Sequence, residues 1–261
     1  MLTFFCDQSL NVDHILLVWN SENDIRYTPL ISRSSCKLHA KLWVPALVHS
    51  LQNLTEVSFH LQGVTKIYMQ NASGSYNKTF RLTLDNSLTV IVRLPCPVAG
   101  PSHLVTASEV ATLEFAREVL KLPVPRVIAW SKEKRSHSIN PVGTDYIIME
   151  EVSGIKLDER WKKFDSADDV APVMTGISDV EARFESLRFS RIGSLYFKED
   201  VSANLHKVPL FSGAIDETSR RLSEKYCIGP LINDQWWRGE RAHMALDRGP
   251  CNYLPCYTVF H

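Results

Sequence analysis

The chain has 261 residues, enough for one large domain or two small ones, and its 44% hydrophobic and 22% charged side chains are ordinary for a globular protein. Lysine plus arginine (29) balances aspartate plus glutamate (29), so no net field draws it to nucleic acid or to an anionic membrane surface. Six cysteines without a C-x-x-C pair are too sparse for a disulfide scaffold and read as reduced thiols.

Residues 1–63 are poorly patterned. Ile15 to Trp19 is a short apolar run with no basic residue ahead of it, which is neither a secretory signal nor an arginine-rich transit peptide. Without a signal peptide, the sequons at Asn53, Asn71 and Asn77 are expected to stay unmodified. No apolar stretch approaches the roughly 18 residues that span a bilayer. Leu38 to Leu54 is partly helical but interrupted by Pro45.

From Val64 the pattern sharpens. Phe80, Leu82 and Leu84 alternate with polar residues, Asp85-Asn86-Ser87 supplies turn chemistry, and Leu88, Val90 and Val92 resume the alternation. This predicts a β-hairpin with one apolar face, whose opposite face carries Thr89, Ile91 and Arg93. Thr106-Ala-Ser-Glu109 reads as a capping box opening a helix, with Val110, Leu113 and Leu120 at helical spacing and Pro123 and Pro125 ending it. Arg126 to Trp130 and Asp145 to Met149 are predicted strands joined by a polar loop. Glu150 to Gly154 breaks the second, and Leu157 and Trp161 begin something helical. Pro172 to Leu187, with Ile177, Val180 and Phe184 in helical phase, is expected to pack on the core. Trp236-Trp237, near Arg238 and Arg241, fits apolar packing under a loop better than stacking on a base or a partner. Cys251 and Cys256 with His243 and His261 match only a loose metal pattern, which buried thiols outweigh.

Hairpin, helix, strand, strand and glycine-containing linker is the order of a protein-kinase-like small lobe. The segments SGSYNKTFRLTLDN (73–86), VIVRLPCPVAGPSHLVTASEVATLEF (90–115), LPVPRVIAW (122–130) and YIIMEEVSGIKLDERW (146–161) resemble the fungal aminoglycoside-phosphotransferase-like family. Within it they are most similar to the altered inheritance of mitochondria protein 9 group. The resemblance implies an α+β fold with a kinase-like small lobe of antiparallel sheet plus one helix over 64–150. A partial, mainly helical large lobe with an irregular tail would occupy 151–261.

The resemblance also implies site residues. Kinase-like enzymes hold nucleotide phosphates with a strand cation that a helix carboxylate positions, roles that fall here to Arg93 and Glu109. On the residues alone, a Glu109 that caps its own helix beside a solvated Arg93 is as good a reading, and the resemblance favours the pair. Gly74 and Asn77 would belong to the nucleotide-covering turn. Ile91 and Met149 would line an adenine pocket, and the backbone from Glu150 to Val152 would offer it hydrogen bonds. On the residues alone these read better as ordinary core and strand-end residues.

No histidine is followed two positions later by aspartate, so the H-x-D-x-x-x-x-N catalytic loop is missing from these residues. Walker A, H-E-x-x-H, G-x-S-x-G and G-x-G-x-x-G motifs are missing too. No catalytic and no metal-ligating residue is assigned. The leading expectation is a truncated, catalytically inactive family member with at most weak ATP affinity and no site for Mg²⁺. Two alternatives stand beside it: an active ATP-dependent small-molecule phosphotransferase whose C-terminal part is missing from the sequence, and a non-enzymatic interaction module. The expected partners are a nucleotide and a protein covering the incomplete large lobe, not nucleic acid. The resemblance places the protein in the mitochondrion, with the cytoplasm as the alternative.

Overall fold

A computed structural model describes residues 13–18, 64–71, 77–84, 87–96, 99–131, 144–213, 216–237 and 239–252. The chain forms two compact units, one of Met1–Val110, Val127–Glu150 and Ile232–Leu246, the other of Ala111–Arg126, Glu151–Leu231 and Asp247–His261. The fold is α+β, as the sequence predicts.

The first unit is built on a sheet of strands β1 (Asp13–Val18), β2 (Val64–Asn71), β3 (Asn77–Leu84), β4 (Thr89–Pro95), β5 (Val127–Trp130) and β6 (Ile147–Glu150). Their order is β1-β2-β3-β4-β6-β5 and every neighbouring pair is antiparallel. The predicted alternation sets its inside. Phe80, Leu82 and Leu84 of β3 and Val90, Val92 and Leu94 of β4 are buried, while Thr89, Ile91 and Arg93 between them are half-buried. Each such side chain contributes about 1.5–3 kcal/mol through the water it sheds. Leu88 departs from the expected apolar face. It precedes β4 in the turn, where its carbonyl accepts the Leu84 N–H, and its side chain is exposed. Asp85 and Asn86 of that turn lie outside the described residues. In β6, Ile147, Ile148 and Met149 are all buried, which explains an apolar run without alternation.

Helix α1 (Ser102–Glu118) corrects the expected capping box. It starts four residues before Thr106, with the Pro101 carbonyl accepting the first helical N–H from Val105. Thr106 is therefore interior and buried, and Glu109 sits in the helix body rather than at its start. The far end also stops short of the prolines. Past Glu118 the chain turns through Lys121, whose φ of 52° is left-handed. Residues to Val110 belong to the first unit and those from Ala111 to the second.

The second unit holds helices α2 (Leu157–Trp161), α3 (Ala167–Glu185) and α4 (Glu217–Lys225) and a ribbon of β7 (Ser194–Phe197) with β8 (Tyr226–Gly229). The ribbon, which no periodicity announced, is nearly all buried. Its rings build the core: Tyr226 meets Phe115 edge-on at 5.3 Å and stacks on Phe197 at 5.2 Å. Close approach selects glycine at two ribbon positions. A Cβ at Gly229 would stand 2.7 Å from the Tyr196 ring, and one at Gly193 would strike the Gly229 carbonyl. The α3 helix overlaps the predicted Pro172 to Leu187 but starts at Ala167, with Pro172 inside it, and is capped by Ser166, whose side chain accepts from the Asp169 N–H. The expected packing on the core does not hold: none of its residues is buried, and Met174 and Ile177 are 49% and 40% exposed. Arg183 ties its last turn down, donating to the Leu120 and Lys121 carbonyls at 3.0 and 2.9 Å. No described helix is long and apolar enough to cross a membrane.

Candidate functional site

The first unit brings together a charged pair that the sequence pointed to. Arg93, the fifth residue of β4, points away from the buried face that carries Val92. Its guanidinium forms a salt bridge with Glu109, one turn beyond Thr106 on α1. The side chains are 29% and 22% exposed, so water reaches both and each is partly desolvated. A guanidinium in this setting stays charged at any physiological pH, and its planar set of donors suits a second anion beside the carboxylate.

Strand register places the other candidates around it. Ile91 is the direct cross-strand partner of Met149, and Arg93 is that of Ile147, so these four side chains share one face of the sheet. Met149 is buried and Ile91 half-buried. Glu150 pairs with Val90 and so lies on the other face. Asn77 opens β3 opposite Pro95, and its Oδ1 is buried with no hydrogen-bond partner among the described residues. The Thr106 Oγ1 is buried in the same way. Gly74 lies outside the described residues. Val152 is exposed and belongs to the second unit.

A hydrogen-bonded group at the start of α1 was not legible in advance. Asp145, just ahead of β6, takes the Ser102 hydroxyl on Oδ2 at 2.5 Å and the Ser131 hydroxyl on Oδ1 at 2.8 Å. The Ser131 Oγ accepts the Tyr146 N–H at 3.0 Å, and the Ser131 N–H bonds the Tyr146 carbonyl at 3.0 Å. The clue was negative: the first turn of α1 holds no acidic side chain, although a helix N-terminus attracts one. Burial raises the neighbouring Tyr146 phenol above its ordinary value.

Other clusters are structural. The helix α5 (Asp234–Trp237) places Trp237 beside Gly100, where an added Cβ would be 3.5 Å from its ring, so the tryptophan packs in the first unit as predicted. In the second unit the Glu114 carboxylate bridges Lys225 and accepts the Tyr226 hydroxyl, and burial first, then Glu114, pushes that phenol well up. Burial pushes the Cys227 thiol up to about 11. Cys96, Cys227 and Cys251 are buried thiols outside any disulfide, and no group of three metal-ligating side chains occurs among the described residues. Cys256 and His261 lie outside those residues.

Comparison with known proteins gives relatives but no structural template. The chain is 42% identical over 187 residues to a subtelomeric hrmA-associated cluster protein of Aspergillus fumigatus, covering 72% of this chain and 33% of that protein. It is 30% identical over 184 residues to the mitochondrial altered inheritance of mitochondria protein 9 of Clavispora lusitaniae, covering 68% of this chain and 28% of that one. The namesake in Candida dubliniensis is 29% identical over 174 residues. The chain thus spans about a third of the length of the curated relatives it matches. No family model and no solved structure matches it.

Proposed function

We propose that the first unit is the nucleotide-binding part of a kinase-like phosphotransferase, and that these 261 residues by themselves transfer no phosphoryl group. The observation that carries this reading is the Arg93–Glu109 pair, a strand cation held by a helix carboxylate. The Ile91–Met149 cross-strand pair supports it as an apolar wall beside the cation, on the strand that ends at Glu150. These residues fit a nucleotide in chemistry: Arg93 offers charge-assisted donors to phosphate oxygens, and Ile91 and Met149 offer apolar contact to a base. ATP, when bound, supplies the phosphoryl group. The chain's own part is to hold it, with Glu109 keeping the guanidinium oriented. Metal binding and nucleophile positioning in phosphoryl transfer use the H-x-D-x-x-x-x-N motif, which this sequence does not contain. The names of the Clavispora and Candida relatives support a mitochondrial location.

The test is the melting temperature of the purified chain with and without ADP. A ligand that binds only the folded state stabilises it by RT ln(1 + [L]/Kd), so millimolar ADP raises the melting temperature by a few degrees if Kd is about 0.1 mM. Arg93→Ala abolishes the shift. Identical melting curves with and without ADP would refute the reading.

A second reading is favoured by the surface of the second unit. Val152, Ile155, Leu157, Trp161, Met174 and Ile177 are six of the eight exposed large hydrophobic residues among those described. The helix α3 borders its apolar stripe with Asp168, Asp169, Asp179, Glu181 and Glu185 against the single cation Arg183. Its occupant on this reading is further polypeptide of the kind the longer relatives carry, apolar on one face and basic at its rim. Co-expression with the unmatched part of the Aspergillus relative should yield a complex that Ile177→Lys disrupts. Failure of the two chains to co-purify would remove this reading and leave the first untouched.

A further inference from the structure

We infer that Asp145 is a positioning residue for the Arg93–Glu109 pair, acting through the first turn of α1. Ser102 and Glu109 are seven residues apart, about 10 Å along the axis and almost in phase, so they share one face of the helix. That face is fastened at two points. Glu109 binds Arg93 on β4, and Ser102 binds Asp145, which precedes by two residues the Ile147 that pairs with Arg93 across the strands. Between the two points lies Thr106, also in phase and buried.

Asp145 is itself fixed. One carboxylate oxygen holds the helix through Ser102, and the other holds the end of β5 through Ser131, which in turn is bonded twice to Tyr146. It also supplies negative charge where α1 has no acid of its own and where the residue ahead of Ser102 is a proline without a capping side chain. A rigid helix held at its first residue has its second contact determined two turns later. Releasing Ser102 frees α1 to tilt, and Glu109 then leaves Arg93. The consequence for a bound phosphate rests on the nucleotide reading above; the coupling between the two fastenings does not.

The experiment measures the coupling between Arg93→Ala and Glu109→Gln by urea unfolding, in the unaltered chain and with Ser102→Ala. In the unaltered chain the two changes are non-additive by about two- to fivefold in the unfolding constant, as a half-exposed ion pair gives. With Ser102→Ala, which removes one hydroxyl and leaves the core intact, the factor falls to near one, and amides of residues 105–110 exchange about tenfold faster. Asp145→Ala does the same, and Asp145→Asn, keeping one acceptor oxygen, restores part of the coupling. A factor unchanged by Ser102→Ala overturns the inference. ADP stabilisation separates the two readings. Its absence from the unaltered chain refutes nucleotide binding while the coupling still reports on the helix. Its full persistence in Ser102→Ala, alongside its loss in Arg93→Ala, overturns the positioning role.

Discussion

Helices α1 and α3 are similar in length, 17 and 19 residues, and both carry apolar residues in helical phase. Their fates differ. Thr106, Ala107, Ser108, Val110, Ala111, Phe115 and Ala116 of α1 are buried, whereas no residue of α3 is more than half-buried, and Arg183 donates to the Leu120 carbonyl. Periodicity therefore states which face of a helix is apolar, and only the presence of neighbouring elements states whether that face is covered. The same contrast separates the candidate sites. Arg93 and Glu109 meet each other at 29% and 22% exposure, while Met174 and Ile177 are 49% and 40% exposed.

The contrast breaks most sharply under truncation of a core ring. Phe115→Ala should cost about 3–5 kcal/mol, since it empties a fully buried site between Phe189 and Tyr226. Gly229→Ala should cost about 1–3 kcal/mol, because the new Cβ meets the Tyr196 ring and one or the other must move. Both are measurable by urea unfolding, and a loss below 0.5 kcal/mol in either case, on the scale of a surface change, would contradict the packing described for the second unit.

A pH prediction follows from the buried thiol of the same unit. The unfolded Cys227 loses its proton near 9, whereas burial holds the folded one to about 11. The thiol's contribution is fully present below pH 9 and is lost as pH rises toward 11, so stability declines across that window. Cys227→Ala should make the decline shallower in an unfolding series over those pH values. An unchanged slope would show that the thiol does not contribute.

The smaller effects lie at the surface. Arg93→Ala and Glu109→Gln should each cost no more than about 1 kcal/mol, since the pair is only partly desolvated. Met174→Ala should change stability by less than about 0.5 kcal/mol, because no surrounding packing is lost. A loss of several kcal/mol from Met174→Ala would mean that α3 is covered after all, and the comparison with α1 would collapse.

Much of the first unit could be read from its residues. The period-two alternation of Phe80 to Leu84 and of Val90 to Val92 reports a sheet with one wet face, and it places Arg93 on the side opposite Val92. The start of α1 was harder. Thr106 and Glu109 have capping-box spacing, yet the helix begins at Ser102, because Pro101 and the distant Asp145 together provide an earlier start. Asp145 gave no local signal, since its partners Ser102 and Ser131 are 43 and 14 positions away. The β7–β8 ribbon was illegible for a similar reason: four-residue strands buried throughout show no alternation.

By itself the sequence determined the local quantities: strand alternation, helical phase, the absence of the catalytic-loop pattern, and a cation and a carboxylate at positions that could meet. Those follow from side-chain periodicity and backbone stereochemistry, which act over a few residues. Tertiary structure decided that Arg93 and Glu109 do meet, that Asp145 bonds the first residue of α1, that glycine is required beside Tyr196, and that no residue of α3 is fully buried. Each of these depends on groups far apart in the chain, whose distance is fixed by packing and by hydrogen bonds between elements rather than by any local preference.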